Sequence, residues 1–343
     1  MYRLSSRYYT SFRAGEISEP ELEEVQQVLC STPGTCMVMG SASTIACVTE
    51  TLGLMLPGGA SPTSGSGDRL RNAVASGRTA VDLARNPIRP TDILTRPAFY
   101  NALKVLVALG GSTNAIVHMM AIARRAGVAL TMEDLQKASD AIPLLVDCKP
   151  SGAVYMEDFH KSGGLPGLLK VLEPVLDPTP INIQGRSVTE RLAEVPIPGD
   201  WQTVIRPMEA PLGPTGSLTT LSGTLAPDGA IIKTSAASPE LFEHEGPAVV
   251  FDSPEDAALR LDDPATQITP DSVMVLRNAG PIAAGMPEAG SLPIPRTLAV
   301  QGIKDMVRVS DARMSGTAYG TVVLHCAPEA AAGGPLALVR DGD

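Results

Sequence analysis

Eight prolines fall between Pro174 and Pro214. A residue with φ fixed near −65° and no backbone N–H breaks helices and central strands, so this stretch is punctuation rather than regular structure. It also separates two kinds of sequence. Before it the signals are helical; after it they are short β-branched runs bounded by Gly, Pro and Asp. The expected organisation is a helix-rich domain over 1–180, a proline-rich linker over 181–214 and a strand-rich domain over 215–343. The fold class expected is mixed α/β, with a helix-rich α/β N-terminal domain followed by a β-barrel-like α+β C-terminal domain.

Capping chemistry places the helices. Ser18 followed by Glu21 has capping-box spacing, with Pro20 in the first turn, and predicts a helix to about Val28. Ser41 or Ser43 is positioned to cap an apolar helix reaching about Leu56, where Pro57-Gly58-Gly59 stops it. Asp68 starts another stretch, Thr91-Asp92 opens a Leu- and Val-rich one, and Ser112-Thr113-Asn114 opens a helix that closes at Gly127. Thr131 with Asp134 caps a short helix, and residues 165–173 form one more. Strands are expected at Ala230–Lys233, Ala248–Phe251, Val273–Leu276, Met306–Val309 and Thr321–Leu324, with a helix from Pro254 to Leu261 capped by Ser253.

Composition narrows the function classes. With 44% hydrophobic and 19% charged residues, the chain can bury a core and is not a disordered tail. No run of about 18 apolar residues suggests a membrane span, and Met1–Arg7 leads into polar sequence, so a soluble cytoplasmic protein is expected. A net charge of −10 repels phosphate backbones and argues against nucleic acid as a partner. The five cysteines, at 30, 36, 47, 148 and 326, suit reduced thiols better than a disulfide framework. The four histidines show no zinc spacing.

Generic motifs are weak. Gly65-Ser66-Gly67-Asp68-Arg69-Leu70 begins like a dinucleotide fingerprint but lacks its third glycine and a preceding strand. Gly110–Asn114 can be read as an anion site at a helix N-terminus or as a glycine turn with a serine cap. Cys36 is set apart by its neighbours, Pro33-Gly34-Thr35-Cys36-Met37-Val38-Met39-Gly40-Ser41. Small residues leave a thiol accessible, and the following helix N-terminus favours its thiolate. Spacing alone still leaves a buried structural cysteine as the ordinary alternative.

The stretch around Cys36 resembles the third cluster-cysteine motif of the dihydroxy-acid dehydratase and 6-phosphogluconate dehydratase family. The similarity continues in order through Arg85–Arg96, Ala108–Ala115, Pro150–Gly152, Tyr155–Phe159, Leu225–Ala230, Gly285–Glu288, Asp311–Gly316 and Pro328–Pro335. The resemblance implies a hydro-lyase that removes water from a 2,3-dihydroxy carboxylate to give a 2-keto-3-deoxy acid. By family pattern Cys36 is one of three thiolates on a 2Fe–2S cluster, Glu288 is a ligand of Mg²⁺, and Ser315 is the base at C2. These roles are chemically consistent. Hydroxide leaves poorly without a Lewis acid, Mg²⁺ prefers hard oxygen ligands, and a serine oxygen needs nearby cationic charge to act as a base.

The other candidates carry plainer readings. Cys30 and Cys47 lie on expected helices, and Cys148 and Cys326 have no cluster context. His118 is expected in a core or interface. His325 is placed either against substrate or packed in a strand. Family members carry two further cluster cysteines, two aspartate magnesium ligands and a lysine in a segment preceding the equivalent of Met1, and they continue past Asp343. The chain as written is therefore expected to lack a complete cluster and magnesium site, and to be inactive alone.

Ala312–Thr321 is more similar to the sugar-acid branch, so an aldonate dehydratase is the preferred reading. Thr317, Tyr319, Thr321 and His325 would hydrogen-bond extra substrate hydroxyls. The alternatives are a dihydroxy-acid dehydratase of branched-chain amino-acid biosynthesis, a non-catalytic fragment acting in binding or assembly, and an anion binder at 110–114. The expected partners are a small hydroxy acid and further copies of the chain, as a homodimer or tetramer.

Overall fold

The computed structural model describes residues 8–9, 11–28, 34–286, 292–315 and 319–343. They form two compact units. One comprises described residues of Met1–Leu29 and Leu218–Asp343, the other those of Cys30–Ser217.

The Cys30–Ser217 unit is helical. Its helices are α2 (Ser41–Leu52), α3 (Gly67–Arg85), α4 (Pro90–Ile93), α5 (Arg96–Ala108), α6 (Asn114–Arg125), α7 (Met132–Ala141), α8 (Met156–Lys161), α9 (Gly164–Leu172) and α10 (Val188–Leu192). Helix α1 (Glu19–Val28) belongs to the other unit. α5 is the core element. Phe99, Leu103, Leu106 and Val107 are fully buried, and α2 and α7 pack against it. The 181–214 stretch falls in this unit and contains α10. Its end pairs as β2 (Gly213–Thr215) with β1 (Pro143–Leu144), antiparallel.

The capping boxes form as the sequence predicts. Ser18 N donates to Glu21 Oε2 at 2.7 Å, and Thr131 N to Asp134 Oδ2 at 3.0 Å. α2 differs at both ends. Gly40, not a serine, is its N-cap, because the Ser41 hydroxyl is engaged with Asn114 Nδ2 at 2.8 Å. It stops at Leu52 rather than near Leu56, because Gly53 takes φ 92° and caps the last turn. Only glycine fits there: a Cβ would come within 2.5 Å of Ile181 O.

The other unit is built on a six-stranded sheet in the order β3–β4–β8–β7–β6–β5. Its strands are β3 (Thr219–Gly223), β4 (Ala226–Ile232), β5 (Ala248–Phe251), β6 (Val273–Leu276), β7 (Arg308–Ser310) and β8 (Val322–Ala327). β5 to β8 run parallel, and β3 and β4 are antiparallel additions. The expected strands at 248–251 and 273–276 coincide with β5 and β6; β3 was not anticipated. In place of the expected barrel-like form, the described strands make an open sheet with β3 and β5 as its ends. Alternation divides the core. Val249, Phe251, Met274, Leu276 and Leu324 face one side, packed on Leu298 and Met306. Ala248, Val250 and Val275 face the other, joined by Cys326, which changes side past the positive-φ residue His325. Parallel strands buried on both faces explain the continuous apolar runs. Helices α11 (Pro254–Arg260), α12 (Pro281–Ala284) and α13 (Arg296–Val300) complete the unit. Arg13 joins the N-terminal segment to it through Asp262, at 2.6 Å.

Candidate functional site

Parallel sheets place ligands in the loops that leave the carboxyl ends of their strands. In the sheet unit those loops follow β6, β7 and β8, and buried carboxylates order them. Asp311, 1% exposed, accepts from the backbone N–H groups of Asn278 at 3.1 Å, Ala279 at 3.0 Å and Ala330 at 3.0 Å. Glu329 accepts from Ile282 N at 2.7 Å in the first turn of α12. The two carboxylates thus bind three loops together through their backbones.

Two arginines fix the loop ends. Arg313 donates from Nε to Met286 O at 2.6 Å. Arg308, buried, donates to Leu292 O at 3.1 Å, to Tyr319 O at 3.2 Å and to Asp305 Oδ1 at 2.8 Å. Met286 and Leu292 bracket residues 287–291, which carry Glu288. Arg313 and Tyr319 bracket the segment holding Ser315. Glu288, Gly316 and Thr317 lie outside the described residues, as does Cys30. Ser315 itself is half-buried.

His325 sits beside this loop pair on an irregular stretch of β8, with φ 58°, and its N–H donates to Ala312 O at 3.1 Å. Among the described residues its buried Nε2 has no hydrogen-bond partner. Burial, and then the Arg313 charge, push its pKa down to about 4. The ring is therefore neutral near pH 7 and able to accept a hydrogen bond.

In the helical unit, Cys36 is half-buried just before α2, with Sγ 4.0 Å from Val38 O. The segment 148–156 holds its loop: Met39 N donates to Lys149 O at 2.8 Å and Met156 N to Met37 O at 2.9 Å. The other described thiols are buried. Burial raises Cys47 well above the usual thiol range and Cys326 to about 12. Cys36 is thus the most accessible thiol among the described cysteines. The 110–114 turn is structural. Ser112 N donates to Thr44 Oγ1 and Asn114 N to Ser112 Oγ, so these N–H groups are already used and the anion-site expectation fails. His118, expected in a core or an interface, is exposed on α6 and so is not a core residue of its unit.

A cleft of about 900 Å³ opens in the same unit, lined among others by Asp68, Arg71, His160, Lys161, Gln184 and Arg186. Neither Cys36 nor Ser315 lines it. His160 bridges Ser61 Oγ at 3.0 Å and Asp68 Oδ2 at 3.2 Å.

Cys36 and Ser315 belong to different units. Among the described residues no group of three or more His, Cys, Asp or Glu could hold a metal ion. In the sequence Asp311, Arg313 and Glu329 stood within family-like motifs without roles, Arg308 only within an expected strand, and Asp305 in neither. Charged residues adjoining apolar strand runs were the available signal.

Residues 3–191 match the family model of the dihydroxy-acid/6-phosphogluconate dehydratase N-terminal domain, and 203–343 that of its C-terminal domain. The chain is 46% identical over 339 residues to L-arabonate dehydratase of Azospirillum brasilense, covering 98% of this chain and 58% of that protein. It is 45% identical over 343 residues to 6-deoxy-6-sulfo-D-gluconate dehydratase of Pseudomonas putida, covering 99% and 59%. It is 39% identical over 338 residues to a dihydroxy-acid dehydratase of Sulfurisphaera tokodaii, covering 97% and 59%. The chain thus spans less than two thirds of the length of these relatives.

Proposed function

The chain belongs to the dihydroxy-acid/6-phosphogluconate dehydratase family, and from that premise we propose that it forms part of a hydro-lyase acting on a 2,3-dihydroxy carboxylate. The product is a 2-keto-3-deoxy acid. The observation that carries this reading is the pair of loops at the carboxyl ends of β6 and β7. Arg313 ties the Ser315 segment to the Glu288 segment at Met286, where an α/β sheet offers a ligand crevice.

Within that reading the Ser315 oxygen takes the proton from C2. The electron pair left behind forms the C2–C3 double bond as the C3 hydroxyl departs, and the resulting enol tautomerises to the keto acid. A serine oxygen does this only beside positive charge, and Arg313 supplies a guanidinium on the same loop. Neutral His325 is proposed to accept from a substrate hydroxyl. Cys36 and Glu288 are each proposed as one donor, to an iron–sulfur cluster and to a magnesium ion, completed by donors beyond the described residues.

The preferred substrate is a sugar acid. Two of the relatives named above are sugar-acid dehydratases, and Tyr319 and His325 adjoin the same loop with polar groups, whereas Thr321, expected among them, is buried with its hydroxyl donated to Asp305. A branched dihydroxy acid is the second reading, favoured by the Sulfurisphaera relative.

The test is a keto-acid assay of anaerobically prepared protein, expressed with its flanking reading frame, on pentonates, hexonates and 2,3-dihydroxyisovalerate. Ser315→Ala should abolish turnover and leave cluster absorbance unchanged, whereas Cys36→Ser should lose the absorbance. Fastest turnover of dihydroxyisovalerate would overturn the sugar-acid assignment. No keto acid from any of the three would overturn the hydro-lyase.

A further inference from the structure

Among the described residues, four that are not glycine have a positive φ: Gln267, Asn278, Met286 and His325. That conformation costs an L-residue free energy and persists only where its surroundings over-determine it. Gln267 merely ends the short turn Pro264–Thr266. The other three belong to the chain that follows β6 and to β8, with Asn278 at 58°, Met286 at 52° and His325 at 58°. Glycine would take these angles freely. Met286 has neither that freedom nor a short polar side chain to ease them, so its conformation is imposed from outside.

The bonds of these three residues converge on three consecutive neighbours. Asn278 N donates to Asp311 Oδ2 at 3.1 Å, His325 N donates to Ala312 O at 3.1 Å, and Met286 O accepts from Arg313 Nε at 2.6 Å. Asp311, Ala312 and Arg313 thus bond one left-handed residue each, in every case through its backbone. The tripeptide is itself fixed. Asp311 and Ala312 are buried, and Ala312 N donates to Ser310 Oγ at 2.9 Å. Asp311 also accepts from Ala279 N and Ala330 N, each at 3.0 Å. Ser315 lies two residues beyond Arg313.

We infer that Asp311-Ala312-Arg313 is a template that holds three strained backbone positions at once, and that Asp311 is thereby a positioning residue for Ser315. The inference rests on the role proposed for Ser315 above. Asp311 acts only through the loop backbone, and the gain is precision, since misplacing a reacting group by about 1 Å costs about 100-fold in rate.

Two measurements test this. The first compares amide hydrogen exchange in the full chain and in Asp311→Asn, a change of equal size that leaves one carbonyl oxygen. Asn278, Ala279 and Ala330, which lose a charged acceptor, should exchange about 10- to 100-fold faster. His325 N bonds Ala312 and not Asp311, yet it should quicken with them because one template holds them all. An unchanged His325 overturns the template. The second measurement is kinetic, on anaerobically prepared protein expressed with its flanking reading frame. Asp311→Asn should lower kcat about 100-fold, with KM within about twofold and cluster absorbance unchanged. Asn278→Val, whose branched side chain resists a positive φ, should lower kcat as well. Asn278→Gly, which takes that angle freely, should keep most of the parent rate. Both lose the Asn278 Nδ2 bond to Asp252 O at 3.1 Å, so equal losses in the two would assign the effect to that bond and overturn the inference. A loss confined to KM overturns it too. Should Asp311→Asn fail to fold, the Asn278 pair decides. A parent protein that forms no keto acid fails the hydro-lyase and the positioning role with it, whereas the exchange comparison needs no turnover and judges the template separately.

Discussion

The guanidinium of Arg308 lies 2.8 Å from the carboxylate of Asp305, and the two side chains are only 8% and 5% exposed. Asp305 also accepts from Thr321 N and Oγ1, while Arg308 reaches the carbonyls of Leu292 and Tyr319. This buried pair fixes the far ends of both loops proposed to carry the chemistry.

Breaking such a pair from one side strands a buried charge. Arg308→Ala and Asp305→Ala should each destabilise the protein by about 3–5 kcal/mol in urea titrations. The double variant should cost clearly less than the two together, because neither charge is then left alone. Additive losses would show that the pair is not coupled.

Gly280 approaches the Glu329 carboxylate so closely that a Cβ would overlap it. Its φ of −80° suits any residue, so the penalty of Gly280→Ala is steric alone, about 1–3 kcal/mol. Hydrogen exchange should quicken at Ile282 N, which Glu329 holds at 2.7 Å. Unchanged protection at Ile282 would contradict the overlap.

Glu50 is 1% exposed on α2 and accepts from Gly58 N at 2.7 Å and Ala60 N at 2.8 Å. Burial is the main cause that raises its pKa from 4.5 to about 7, against the backbone donors and Arg191. Between these values the folded protein binds more protons than the unfolded chain, so stability falls as pH rises through about 4.5 to 7. The loss is roughly 3 kcal/mol. Glu50→Gln stays neutral, and its melting temperature should lack this decline. Parallel pH curves for the two proteins would rule it out.

His325 gives the opposite slope. Its pKa, lowered from 6.5 to about 4 by burial and Arg313, means that the unfolded chain takes the proton first. Stability is fully present above pH 6.5 and declines by roughly 3 kcal/mol as pH falls to 4. His325→Gln should flatten this acid limb in denaturant titrations from pH 4 to 7. An acid limb unaltered by the substitution would assign the loss to other groups.

The sequence by itself determined the local elements and the family. Ser18 with Glu21, Thr131 with Asp134, and Ser253 announce helix starts because a cap bonds within three residues of itself. The runs 248–251 and 273–276 announce strands because parallel strands are buried on both faces. Cys36 and Ser315 take their proposed roles from motifs alone. Tertiary structure alone decided the rest. It placed the described residues before Leu29 with the sheet unit through Arg13 and Asp262, ended α2 at Gly53 because Ile181 leaves no room for a Cβ, and gave the Ser41 hydroxyl to Asn114. It also joined Asp305 and Arg308 to Leu292 and Tyr319. Each depends on partners brought together by burial and chain reversal, and no local pattern records which distant carbonyl or carboxylate will arrive there.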